Sequence, residues 1–301
     1  MFRRILALLF LGAAPAIGPA AASGQDLQPG VGERPDVRVA APLSTKPFAA
    51  AIARAMRQEK GLVVAVSTDV TSLDAIDALG QDRADIALIT RPLSMRDRDR
   101  YPDLDLVVLP IGMQVVALGI ADDLWEAGLH AITEENLRAV YEQKITNWKE
   151  VGGPDEKITF FSFEQGAGVW EILTAWLYGD NRKAPIPKKE EAVATSADAR
   201  DDLEFTPGSM APMFASYIDN ARCHAIGLVL GGHVALPTPR EVASNTYPVA
   251  RPVVAVVIGK PTLAIRAVTE FMTGREGQAL LKTNGELGLE AVPKPKPTPA
   301  H

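Results

Sequence analysis

The chain has 301 residues, 47% hydrophobic and 23% charged, enough for one large or two medium domains with a sizeable core. Lys and Arg number 31 against 37 Asp and Glu, a net charge of −6 that argues against nucleic acid or an anionic membrane surface as a partner. A single cysteine, Cys223, excludes an internal disulfide and cysteine-cluster metal sites. His130, His224, His233 and His301 show no zinc-hydrolase spacing, so no metal is expected.

Arg3 and Arg4, the apolar run Ile5 to Leu11 and the small residues Ala20, Ala21 and Ala22 have the order of a secretory signal peptide, residues 1–22. An uncleaved anchor is the alternative, but Gly12, Pro15, Gly18 and Pro19 interrupt the stretch. No cysteine lies near the cut, so a lipoprotein is not expected. Residues 293–301 alternate Pro with Lys and Thr and predict an extended, disordered tail.

Between these ends, short apolar strands alternate with amphipathic helices. Strands are predicted at Val37 to Ala40, Leu62 to Val66, Ile86 to Ile89, Leu106 to Leu109 and Val115 to Ile120. Phe48, Ala51, Ile52, Ala55 and Met56 mark one helix face, and Leu73, Ile76 and Leu79 another. Thr133 predicts a helix start, followed by Leu137, Val140 and Tyr141. A strand at Ile158 to Ser162 precedes the turn Gly166–Ala167–Gly168, which opens a helix through Val169, Trp170, Leu173, Trp176 and Leu177. Lys183 to Asp202 is polar and proline-punctuated, and predicts a surface excursion. Ile226 to Leu230 and Val253 to Ile258 predict late strands, and Ala264 to Met272 and Gln278 to Leu281 closing helices. This alternation predicts an α/β fold on a parallel sheet covered on both faces.

Such sheets bind ligands beyond their strand ends, where helix N-termini leave N–H groups free. Pro42 to Lys46, Asp69 to Ser72 and Glu164 to Val169 have that position. Each is also compatible with an ordinary helix cap.

Four segments then acquire a common meaning. Ala84–Asp85–Ile86–Ala87–Leu88–Ile89–Thr90–Arg91–Pro92–Leu93 resembles "A-D-I-G-x-x-S-R-P-L" of the periplasmic phosphate-binding proteins of phosphate ABC transporters. Lys144–Ile145–Thr146–Asn147–Trp148–Lys149–Glu150–Val151–Gly152–Gly153 is similar to that family's "G-K-I-T-N-W-x-D-V-G-G". Tyr247–Pro248–Val249–Ala250–Arg251–Pro252 resembles "Y-P-L-x-R-P", and Glu276–Gly277–Gln278 the end of "S-P-E-G-Q". The resemblance implies a two-lobed type II periplasmic binding fold with the ligand cleft between lobes. It places residues 36–114 plus 225–292 in lobe 1 and 115–224 in lobe 2, joined by two crossing segments. It also implies a small anionic solute, an ABC permease as a possible partner, a periplasmic location and a monomer.

The site departs from the family pattern. The loop similar to "G-S-T-S-V-x-P" reads Ala41–Pro42–Leu43–Ser44–Thr45–Lys46–Pro47, and the loop similar to "G-G-S-G-x-G-I-x-A-L" begins Val70–Thr71–Ser72–Leu73. In the third, "R-x-S-G-S-G-T" becomes Phe163–Glu164–Gln165–Gly166–Ala167–Gly168–Val169. The expected ligand-binding residues are Ser44, Thr45, Thr71, Ser72, Thr90, Arg91, Gly166 and Gly168. Three lost charge-assisted hydrogen bonds, at ~1.5–3 kcal/mol each, remove roughly 4–9 kcal/mol. Micromolar binding is worth only about 8 kcal/mol. Tight phosphate capture is therefore expected to be lost unless Arg91 or Lys46 compensates. A larger or partly apolar anion is the corresponding expectation, with Phe163 and Val169 near the pocket. Alternatively, Arg91 pairs with Asp97 or Asp99, and Phe163 and Val169 are core residues.

Three functions follow: an anion-capturing solute-binding protein, a paralogue that has lost tight phosphate binding and serves as a sensor or envelope interaction protein, and an enzyme. The last lacks any nucleophile–base pair, metal motif or nucleotide loop, so no catalysis and no cofactor are expected.

Overall fold

Strand–helix alternation sets the first half of the computed structural model, which is described over residues 33–68, 70–186 and 192–294. The expected signal peptide lies outside these residues, as does all of the expected tail but Pro293 and Lys294. β1 (Val37–Ala40) passes through a 3₁₀ turn at Leu43–Thr45 into α1 (Lys46–Lys60), which buries Phe48, Ile52 and Met56. β2 (Val64–Ser67), α2 (Ser72–Gly80), β3 (Ile86–Ile89) and α3 (Met95–Arg100) follow. Both α2 and α3 begin with reciprocal caps, Thr71 with Asp74 and Ser94 with Asp97, which satisfy otherwise orphaned N–H groups.

The two strands expected at 106–120 are one continuous strand, β4 (Leu106–Ile120). Fifteen extended residues reach about 50 Å, enough to run from one lobe into the other. Next come α4 (Asp122–Glu126), β5 (Ala131–Thr133), α5 (Glu134–Tyr141), β6 (Thr159–Phe160), β7 (Ser162–Phe163) and α6 (Gly168–Tyr178). β8 (Ala192–Val193) and α7 (Ser196–Phe205) occupy part of the segment expected to be only a surface excursion. Ala199 and Leu203 anchor α7, too few apolar residues to show a helical period. β9 (Ser209–Phe214) has no sequence signal, because Met and Pro212 disguise it. β6 covers only Ser209 and Met210, so Pro212 falls where β9 has lost one neighbour.

The chain closes with β10 (His224–Ala225), β11 (Gly227–Leu230), β12 (His233–Ala235), α8 (Pro239–Ala243), β13 (Ala250–Ile258), α9 (Leu263–Thr273) and α10 (Arg275–Thr283). The main sheet has the order β2-β1-β3-β13-β4-β9-β6. It is mixed rather than parallel as expected: β1 is parallel to β2 and β3, whereas β13 is antiparallel to β3 and β4. The reason is that β13 returns from the second lobe beside β4 instead of crossing over a helix.

Alternation along β13 shows how the first lobe is built. Val253, Ala255 and Val257 join Phe48 and Ile52 on one face, while Val254 and Val256 join Ile76 and Leu79 on the other. A separate cluster holds Val116, Leu118, Trp148, Trp170, Leu173 and Met213. Residues 225–249 differ from expectation: Ile226, Leu228, Val242, Tyr247 and Val249 pack in this second cluster rather than the first. β10 pairs with β4 and β11 with β5, and those pairings hold the segment there. A third crossing exists as well. Leu287 exchanges backbone hydrogen bonds with Met113, and Ala291 beyond it packs in the second cluster.

Candidate functional site

A cavity of about 340 Å³ lies between the two lobes, beyond the C-terminal ends of β1, β2 and β3. Pro42, Leu43 and Ser44 line it from the first loop, Val70, Thr71 and Ser72 from the second, and Thr90 and Arg91 from the third. Gly166 and Glu171 face them from the second lobe, and Arg251 enters on β13. Six of the eight sequence-selected residues thus share one wall-to-wall space.

Their side chains are not equally available. The Ser72 hydroxyl accepts from the Thr90 N–H at 3.1 Å and lies 3.5 Å from the Thr90 hydroxyl, which ties the second loop to the third. Thr71 donates its hydroxyl to Asp74 at 2.7 Å and accepts from the Asp74 N–H, so that group serves the helix cap. Thr45 does not line the cavity. It is fully buried in the 3₁₀ turn, where its hydroxyl donates to the Pro42 carbonyl at 3.0 Å.

Gly168 backs the cavity rather than lining it. A Cβ on Gly168 would come within 3.1 Å of the Ser44 Cβ and 3.2 Å of Arg251 Nη2, so glycine lets the two lobes touch here. Gly166, two residues earlier, has φ +93°, a turn that only glycine adopts without strain.

Arg91 is held by a carboxylate. Its guanidinium donates to both Asp97 oxygens, at 2.6 and 2.8 Å, and to the Pro92 carbonyl. Asp97 is 2% exposed, and these donors, with the Ser94 hydroxyl and N–H, hold its carboxyl well below the usual carboxylate range. Three members of the charged series 96–100 are tied to the fold. Asp97 turns inward, Arg98 donates to the Leu106 carbonyl, and Arg100 pairs with Asp77. Phe163 and Val169 are also core residues, buried in the second cluster and absent from the cavity wall.

Sequence reasoning missed Arg251 and its neighbours as a site. Arg251 Nη1 donates to Glu171 at 2.8 Å, and its Nε donates to Gln114 at 2.9 Å. Gln114 is fully buried, and its amide donates to the Ser44 carbonyl and to Glu286. Glu286 is 2% exposed, and burial pushes its carboxyl up to about 8. Arg251 Nη2 and Glu286 Oε2 are buried without a hydrogen-bond partner. These residues come from β13, β4 and the third crossing, so the network occupies the junction of the lobes. The Tyr247–Arg251 motif was the one available signal; it marked Arg251 without revealing what it faces.

The fold has known counterparts. A PBP superfamily domain matches residues 19–276. The chain is 27% identical over 164 residues to the phosphate-binding protein PstS of Borreliella burgdorferi, covering 53% of this chain and 58% of that protein. Similarity to the PstS of Bacillus subtilis is 26% over 141 residues, 45% and 43% of the respective lengths. These matches span about half the length of the curated relatives. An ABC-type phosphate transport receptor from Vibrio cholerae superposes with a TM-score of 0.66 at 20% identity, covering 84% of this chain and 99% of that one. A possible phosphate binding protein from Planctomyces limnophilus gives 0.70 at 16% identity, over 85% and 93%. The chain belongs to the PBP superfamily, and its fold is that of the two-lobed type II periplasmic phosphate-binding proteins.

Proposed function

We propose that this protein is a solute-binding protein that captures a small anion in the cleft and presents it to an ABC permease. The observation that carries the reading is the meeting of Ser44, Ser72 and Thr90 with Gly166 and Arg251 across one cavity between two lobes. Hydroxyls and helix N-termini supply hydrogen-bond donors suited to an oxyanion, and Arg251 supplies charge. Residues 36–112 with 251–286 act as one lobe and 113–250 with 287–292 as the other. Closure follows from a ligand binding the closed form more tightly than the open one. The chain is exported to the periplasm after loss of residues 1–22 and works there as a monomer, without catalysis.

A thermal-shift panel of phosphate, sulfate, phosphonates and carboxylates tests this reading. A ligand present at a hundred times its Kd stabilises the native state by about 2.7 kcal/mol, a readily measured shift. No stabilisation by any of these anions refutes it.

One observation favours a second reading. Arg91 and Arg251 already carry carboxylate partners, and Phe163 replaces the family's arginine. An interaction or sensor protein that no longer holds phosphate tightly fits that balance, and failure of the anion panel together with recovery of a protein partner supports it.

A further inference from the structure

The Arg251–Glu171 ion pair is a partition between two cavities. Both residues line the polar space described above, and both also line a second space of about 470 Å³ on its other side. Beyond the ion pair, that second wall sets Ile172, Ala175, Trp176, Pro248 and Ala250 beside the polar Asn181. Helix α6 connects the two. Gly168 opens the helix beside Ser44, Glu171 stands at the partition, and Ala175 lies one turn further along the same face. From Gly168 to Ala175 the rise is about 10 Å.

We infer that the ligand is a tetrahedral oxyanion bearing an apolar substituent, an organophosphonate or a phosphate monoester. Its head occupies the polar cavity and its organic group the second cavity against Trp176. This rests on the proposed anion capture and deepens it. The anionic head takes the place of Glu171 on Arg251, and displacement of that one side chain joins the two spaces. Inorganic phosphate fills only the first, where both arginines are already matched. An apolar substituent adds burial that does not depend on the missing charge-assisted contacts, because aliphatic and aromatic walls reward area rather than hydrogen bonds.

Calorimetric titration of the whole chain with inorganic phosphate, methylphosphonate and phenylphosphonate decides the matter. Phenylphosphonate is expected to bind at least about tenfold more tightly than methylphosphonate, the scale for burying one aromatic ring. Trp176→Ala should erase most of that ratio. Ala175 is exposed on α6, and Ala175→Asp should erase it too by placing a carboxylate where the ring sits, without removing a core side chain. If methylphosphonate and phenylphosphonate bind equally to the unaltered chain, the inference is overturned while anion capture stands. If the ratio survives both substitutions, the second cavity is not the seat of the organic group. If none of the three anions binds, the inference and the proposed function fall together.

Discussion

Arg251 and Glu171 join the hinge strand to the first turns of a second-lobe helix, with 2.8 Å between Nη1 and the carboxylate. The guanidinium is largely covered, at 18% side-chain exposure, whereas Glu171 is 39% exposed. The pair therefore holds a cation in place at modest electrostatic gain. Any incoming anion must compete with Glu171 for Arg251.

Glu171→Gln removes that competitor. Anion affinity is expected to rise about three- to tenfold, equivalent to ~1 kcal/mol, with little loss of stability. Titration with whichever anion the panel identifies checks it; an unchanged or weaker affinity shows that Glu171 does not oppose the ligand.

Arg91 behaves differently, because its bidentate partner Asp97 is nearly inaccessible. Arg91→Ala strands that carboxylate and is expected to cost about 2 kcal/mol, the 35% exposure of the Arg91 side chain keeping the loss below that of a fully buried pair. In a protein of this size that lowers Tm by roughly 4–8 °C. The shift produced by a bound anion should persist in the variant. Loss of the shift at unchanged Tm would make Arg91 a ligand contact instead.

The buried acid at the lobe junction gives a pH signature. Glu286 has a folded value near 8 against an ordinary value of 4.5, so the native state holds its proton where the unfolded chain releases it. Stability from this group is full below about pH 4.5 and is lost as pH rises through 8, at up to about 1.4 kcal/mol per pH unit. Glu286→Gln keeps the shape and removes the ionisation. In urea unfolding at pH 5.5 and pH 8, the stability difference between variant and parent should grow in the variant's favour toward pH 8. An equal difference at both pH values contradicts the assignment.

Gly168→Val places side-chain atoms against Ser44 and Arg251 at the point where the lobes touch. The closed form is expected to open, and anion affinity to drop at least about tenfold. Small-angle scattering reads the opening as a larger radius of gyration with saturating anion; a radius equal to the parent's refutes a closing contact at Gly168.

Helix-level features were legible wherever a side-chain pattern is local. Phe48, Ile52 and Met56 repeat at the helical period, Thr133 caps α5, and Gly166–Ala167–Gly168 leads into α6, all within a few residues. Ser44, Ser72 and Thr90 could be selected because each follows a strand end. Thr45 could not be separated from Ser44, since only the 3₁₀ turn sends one hydroxyl inward and leaves its neighbour on the cavity wall.

By itself, the order of apolar runs and helix starts determined an α/β chain with three candidate loops at strand ends; the two-lobed family entered only through the resemblance of four motifs. Tertiary structure alone decided the charge balance of the cleft. Glu171 meets Arg251 across 80 residues, and Gln114 meets Glu286 across 172. Pairing between such distant residues depends on where β4, β13 and the third crossing bring the chain together, and no local periodicity encodes that meeting.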